Sequence, residues 1–207
     1  MKKPGAISSV TKARIINAAT KEFENKPYEK ASLRTICNDA DVTTGALYFF
    51  FKSKEDLFKN VISVCTRPLY NFLKDHYDYA RKNVGKNYDF SQSFDTTIGD
   101  FLLRSYYDYT VQWKIVLKNL DHNIIKKMIT NFIEGSTEHY YELLNEYFTN
   151  NRQEYRIEKY TIEQFVYMEI YAFVNLFRYD CTKEIMYKKA RTTVSMLKGA
   201  FYALLEN

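Results

Sequence analysis

Three hydroxyls and an ammonium crowd a short stretch of the N-terminal third: Thr43, Thr44, Tyr48 and Lys54. Hydroxyls donate to phosphate oxygens or to base edges, and an ammonium neutralises a phosphate. That chemistry is binding rather than turnover. No nucleophile elbow, phosphate loop or zinc signature accompanies it. The three histidines, His76, His122 and His139, are widely dispersed. The chain is therefore read as no enzyme, with no cofactor and no metal.

These groups need elements to hold them in line. Leu33, Ile36, Cys37 and Ala40 recur at helical spacing, so a short helix is expected over residues 33–40 with Ser32 as its N-cap. Asp41 and Val42 make a tight turn. Thr43 caps a second helix that ends near Phe50. Ser53 caps a third, and Asp56 completes a capping-box-like pair with it. Two short helices joined by a tight turn are a helix-turn-helix, whose second helix enters the DNA major groove. Its early face offers Thr43, Thr44, Gly45 and Tyr48. Gly45 costs that helix about 1 kcal/mol against Ala, which close approach of backbone to DNA would justify. Phe49 beside them is apolar and suits a thymine methyl, or else the core.

The run Ile36, Ala40, Val42, Gly45, Leu47, Tyr48, Phe51, Ser53, Lys54, Glu55 and Leu57 resembles the DNA-binding domain of the TetR family of bacterial repressors. Ala13 and Arg14, ahead of Ile15, fit the same resemblance, which covers about the first sixty residues. It implies an all-α fold of about nine helices. Residues 1–52 would form a three-helix DNA-binding domain, and 53–207 a helical effector-binding and dimerisation domain. It also implies that Ser32, Arg34, Thr43, Thr44, Gly45, Tyr48, Phe49 and Lys54 face DNA, Lys54 as the phosphate lysine. Three residues depart from the family's pattern: Asp41 replaces a turn glycine, while Ala46 and Phe50 replace hydroxyl or imidazole donors to phosphate.

Composition agrees with helices. Nineteen Tyr and fifteen Phe stand against only six Gly and three Pro, too few breakers for a chain of short strands. Residues 1–60 hold eleven basic and seven acidic residues, so +4 of the formal +5 lies in the N-terminal third. That suits a DNA-facing module. No apolar run of eighteen residues exists, and Lys2 and Lys3 lead into no apolar leader, so a cytoplasmic protein without a membrane span is expected. Cys37, Cys65 and Cys181 are odd in number and far apart, and read as small buried hydrophobes in a reducing compartment.

Outside the motif, residues 1–9 read as a basic arm, and a first helix is expected from about Val10 to Glu24. A long helix from Ser53 to about Arg81 contains Pro68, a candidate hinge or a static kink. Further helices are expected near 91–109, 111–120, 122–148, 157–179 and 183–205, with Asp121 and Thr182 as caps. The last two are broadly apolar. Phe165, Ile170, Phe173, Val194, Leu197 and Phe201 are the candidates for a homodimer interface, which would let two heads read a near-palindromic operator. The middle helices are rich in rings. Tyr70, Phe101, Arg104, Tyr106, Trp113, Phe132 and Tyr140 are the candidates for a pocket taking a small apolar or aromatic effector. The reading is thus a ligand-responsive transcriptional regulator of double-stranded DNA, favoured as a repressor that the effector releases, although the sequence does not separate a repressor from an activator. Its alternatives are a constitutive DNA-binding regulator and a helical protein-interaction adaptor.

Overall fold

The structure is a computed structural model that describes residues 4–84, 96–150, 157–178 and 181–206. Among them are nine α-helices and one short 3-10 turn, so the all-α expectation holds. They are α1 (Pro4–Asn25), the 3-10 turn Tyr28–Lys30, α2 (Leu33–Asp39), α3 (Thr44–Phe50), α4 (Lys54–Asn83), α5 (Thr96–Asp108), α6 (Thr110–Lys118), α7 (Asn123–Asn150), α8 (Lys159–Leu176) and α9 (Lys183–Glu206).

The caps explain why the short helices start where they do. Ser32 Oγ accepts from Thr35 N at 3.4 Å, and Thr43 Oγ1 from Ala46 N at 3.1 Å. Ser53 Oγ accepts from Asp56 N at 3.1 Å, and Asp56 Oδ2 reaches back to Lys52 N at 2.9 Å. The three Ser and Thr bonds each satisfy a backbone donor that a first turn leaves open, and the Asp56 bond ties down the N–H of Lys52 ahead of the cap. The first helix corrects one expectation. It begins at Pro4 rather than Val10, so part of the expected arm is helical. Proline fits the first turn of a helix, because its missing N–H would have no partner there. At α7 the side chain meeting the first free N–H is His122, whose Nδ1 accepts from Ile124 N at 3.2 Å; Asp121 instead lies 3.8 Å from Lys126 Nζ.

Contacts divide the chain into two units. The first is residues 1–67 with 109–126, and the second 68–108 with 127–207. This differs from a division at residue 52. The change of unit falls inside α4, between Arg67 and Pro68, and α6 belongs with the N-terminal helices. Pro68 has no N–H to give the carbonyl of Val64.

In the first unit Ile15, Ala19, Phe23, Ile36, Leu47, Phe51, Leu57, Phe58 and Ile115 form the buried interior. Rings lock one side of it: Phe58 stands edge-on to Phe23 at 5.0 Å and to Tyr28 at 5.1 Å, and His122 lies 4.1 Å from Tyr28. α6 packs on α1, and the Asn119 amide after it accepts from Tyr28 N at 2.7 Å. In the second unit α9 packs on both α5 and α8. Its core gathers Tyr140, Leu144, Phe148, Ile162, Phe165, Val166, Leu197 and Phe201.

Candidate nucleic-acid interface and a cleft between two helices

The turn between α2 and α3 is held from outside. Asp41 takes φ 50°, the only positive φ of a non-glycine residue among those described. Left-handed backbone is costly for most side chains and tolerated by Asp. The Arg14 guanidinium, reaching across from α1, donates to the carbonyls of Ala40 and Asp41. It also lies 3.3 Å from the Asp41 carboxylate. Those carbonyls end α2 and have no partner within it, so Arg14 caps the helix and braces the turn. The other end of α2 is braced by Glu22. Its buried carboxylate accepts from Ser32 N at 2.9 Å and from Lys26 Nζ at 2.9 Å. Burial raises the Glu22 pKa, but the bonds from Lys26 and Ser32 outweigh it and hold the group below its usual value.

With both ends of α2 fixed, α3 presents a defined face. Leu47 is fully buried, while Thr44, Gly45, Tyr48 and Phe49 are exposed. Phe49 is the most open large apolar residue described, at 80% exposure. Its ring stands at 90° to that of Phe50 with centroids 5.1 Å apart. Thr43 is exposed at the cap, Arg34 is exposed on α2, and Ser32 is half-buried with its hydroxyl engaged as a cap. Lys54 is placed differently from the exposed group. It is half-buried, with Nζ 4.5 Å above the Tyr28 ring. Burial lowers its pKa, opposed by the charges of Glu29 and Glu22.

The ring-rich helices of the second unit do form a pocket, of about 200 Å³, between α4 and α7. Tyr70, Leu73, Lys74, Tyr77, Asp78 and Arg81 line one wall, and Asn131, Phe132, Gly135, Ser136 and His139 the other. Of the seven residues expected there, it brings together Tyr70 and Phe132 alone. Tyr140 is buried in the core against Phe165 and Phe201. Tyr106 is buried and stacks on Phe177 at 4.6 Å, and Phe101 stacks on Phe72 at 4.1 Å. Arg104 is exposed near Asp108, and Trp113 lies on α6 in the first unit. Apolar rings fill a core as readily as they line a cavity.

The pocket wall also holds polar groups. Tyr77 O–H and Ser136 O–H share a 2.7 Å hydrogen bond, and His139 stacks on Tyr77 at 4.0 Å. Among the described residues His139 Nδ1 is buried with no hydrogen-bond partner. Burial, with Arg81 and His76 nearby, lowers the His139 pKa to about 4 against a smaller opposing effect of Asp78. Glu169 on α8 is buried too, and burial pushes its pKa up to about 7 although Tyr140 donates to it.

The expected dimer residues also separate. Phe165, Leu197 and Phe201 are buried inside this chain's own core, and Ile170, Phe173 and Val194 are half-buried. Exposed on α8 are Tyr160, Tyr167, Met168 and Tyr171, together with Lys159, Glu163 and Gln164. On α9 the exposed positions include Thr192, Ser195, Met196, Gly199 and Ala203 in its later part, and Lys183, Glu184, Lys188, Lys189 and Arg191 nearer its start. Two helices that are apolar on most sides do not declare from their pattern which side faces inward.

Comparison with known proteins places the N-terminal stretch. Residues 15–61 match the family described as bacterial regulatory proteins, tetR family. The HTH-type transcriptional regulator UidR of Escherichia coli strain K12 is 38% identical over 52 residues, 25% of this chain. The matched stretch spans about a quarter of that relative's length, 26%. Two solved structures share the fold over nearly the whole chain. Salmonella enterica GusR has 20% identity and a TM-score of 0.55, covering 97% of each chain. A putative tetR-family transcriptional regulator from Mesorhizobium loti has 16% identity and a TM-score of 0.52, covering 92% of this chain and 96% of that one.

Proposed function

On the match of residues 15–61 to the family described as bacterial regulatory proteins, tetR family, we propose that the chain is a ligand-responsive transcriptional regulator that binds a near-palindromic operator as a homodimer. The observation that carries the reading is the exposed Thr44–Gly45–Tyr48–Phe49 face of α3, set by a capped turn. Thr43, Thr44 and Tyr48 supply hydroxyls to phosphates and base edges. Arg34, Ser32 and Lys54 flank them. For Lys54 the phosphate role requires its ammonium to leave the Tyr28 ring, a cation–π contact of modest strength.

Dimerisation is assigned to the exposed faces of α8 and of the later part of α9, with Ile170, Phe173 and Val194 at their edges. Tyr and Met are enriched in protein interfaces, and charge is depleted from interface centres. A two-fold pair would place two recognition helices one DNA turn apart.

The effector is assigned to the α4–α7 pocket. Its Tyr70, Tyr77 and Phe132 rings with a few polar groups suit a small aromatic or apolar molecule. The space of about 200 Å³ is below the roughly 300–1,000 Å³ of drug-sized ligand sites, so the ligand is small or the pocket widens around it. Binding would act through α4, where the unit changes at Pro68. A ligand that prefers the head spacing unsuited to the operator releases the DNA, and the operator weakens the ligand by the same factor.

The test is a gel shift of full-length protein on DNA flanking its own gene, over a salt series and then a ligand panel, with sizing by light scattering. Steeply salt-dependent binding by a dimer is expected. A monomer at micromolar concentration, or no shift on any fragment, overturns the regulator reading. DNA affinity unchanged across the panel leaves a constitutive binder.

A further inference from the structure

The recognition face has an unusual chemistry. From Thr44 to Phe50, α3 contains no Arg, Lys, Asn, Gln, Asp or Glu. The strong side-chain pairings of the major groove all use those groups: Arg or Lys on guanine, Asn or Gln on adenine, and a carboxylate on cytosine. None is available on this helix. What it exposes is hydroxyl, bare backbone at Gly45, and ring. Phe49 is 80% exposed and Tyr48 50%. An exposed phenylalanine offers DNA one thing, an apolar surface, and the apolar feature of the major groove is the thymine C5-methyl. The Phe49 ring packs edge-on against Phe50, so less side-chain freedom is lost when it meets a ligand.

We propose that this chain reads its half-site chiefly through thymine methyl groups, with Phe49 as the main contact and Tyr48 beside it. This rests on the DNA-binding reading above and deepens it. The operator class follows: half-sites with an obligatory thymine under α3, and little demand for guanine there.

The experiment uses full-length protein and a random-sequence duplex pool. After enrichment of bound duplexes, each thymine of the best site is replaced in turn by deoxyuridine. That removes one methyl and leaves every hydrogen-bonding group in place. A thymine in each half-site should emerge whose replacement weakens binding about fourfold, the equivalent of one buried carbon. Phe49→Ala should bind thymine and uracil duplexes alike at that position while keeping its thermal melt, since the side chain is 80% exposed in the free protein. Sites in which uracil replaces every thymine without loss overturn the inference. So does methyl discrimination that persists undiminished in Phe49→Ala. In either case enriched, salt-sensitive binding would leave the regulator reading standing. No enrichment over a scrambled pool removes that reading, and this inference with it.

Discussion

The two units differ in how fully their buried polar groups are paired. In the first, Glu22 bonds both Ser32 N and Lys26, the Asn119 amide bonds Tyr28 N and Ile115 O, and Arg14 ends α2. In the second, among the described residues, His139 Nδ1 and Thr137 Oγ1 are buried without a partner, and Glu169 is buried with Tyr140 as its donor and no cation beside it. A satisfied network specifies one arrangement, whereas an unsatisfied polar group costs free energy in the conformation that buries it. The first unit is thus built to hold α2 and α3 in one arrangement. The second unit keeps polar groups that another arrangement, or a ligand, would satisfy better.

The pH dependence of stability offers the largest test of that contrast. Glu169 has its folded pKa raised from 4.5 to about 7. Below 4.5 both states are protonated and nothing is lost. As pH rises toward 7 the unfolded chain ionises first, and stability falls by on the order of 3 kcal/mol. His139 has its pKa lowered from 6.5 to about 4. Above 6.5 both states are neutral, and as pH falls toward 4 the unfolded chain takes the proton first, so stability falls on that side. Between pH 4.5 and 6.5 the two slopes oppose and nearly cancel. Glu169→Gln should add on the order of 3 kcal/mol at pH 7.5 and uncover a loss on acidification. Urea unfolding across a pH series measures both. An unchanged pH profile would mean that the carboxyl is solvated, and the contrast between the units would fail.

Next in size is Glu22→Ala. It strips the acceptor from Ser32 N and frees Lys26, and should cost about 2 kcal/mol, read as an earlier urea midpoint at constant slope. A loss under 0.5 kcal/mol would show that the head tolerates an open donor as easily as the second unit does.

The smallest effect is the sharpest in meaning. A methyl on Gly45 would meet Thr43 Oγ1 at 3.9 Å, an ordinary contact. Gly45→Ala should therefore stabilise the head by about 0.5–1 kcal/mol through helix propensity. If DNA affinity falls at the same time, the glycine is there for close approach to the duplex. If affinity holds, Gly45 has no such role.

How much of this the chain declared in advance also divides by unit. The head was legible because its signals are local. Ser32, Thr43 and Ser53 each cap the helix their position in the chain implied, and the Leu33–Ala40 spacing placed α2. Arg14 was visible as part of a resemblance, but its bonds to residues 26 and 27 positions away were not. In the second unit, helix content was legible and facing was not. Tyr140 and Tyr70 look alike as letters; one is core and the other pocket, because that depends on neighbours distant in the chain. The same holds for Phe165 inside and Tyr167 outside, two residues apart on a helix apolar nearly all round.

The membership of α6 in the first unit bears on how the protein is made. The head is discontinuous: the chain leaves it after Arg67 and returns at Tyr109. On the ribosome the helix-turn-helix therefore emerges without the α6 surface that packs on α1, and without the Asn119 amide that anchors Tyr28. At about 5–20 residues per second, the nascent head waits roughly 3–12 s for residue 126. During that interval the apolar side of α1 that α6 will cover is open to solvent and to chaperones. A gene truncated after Arg67 would hold the nascent head in that unfinished state.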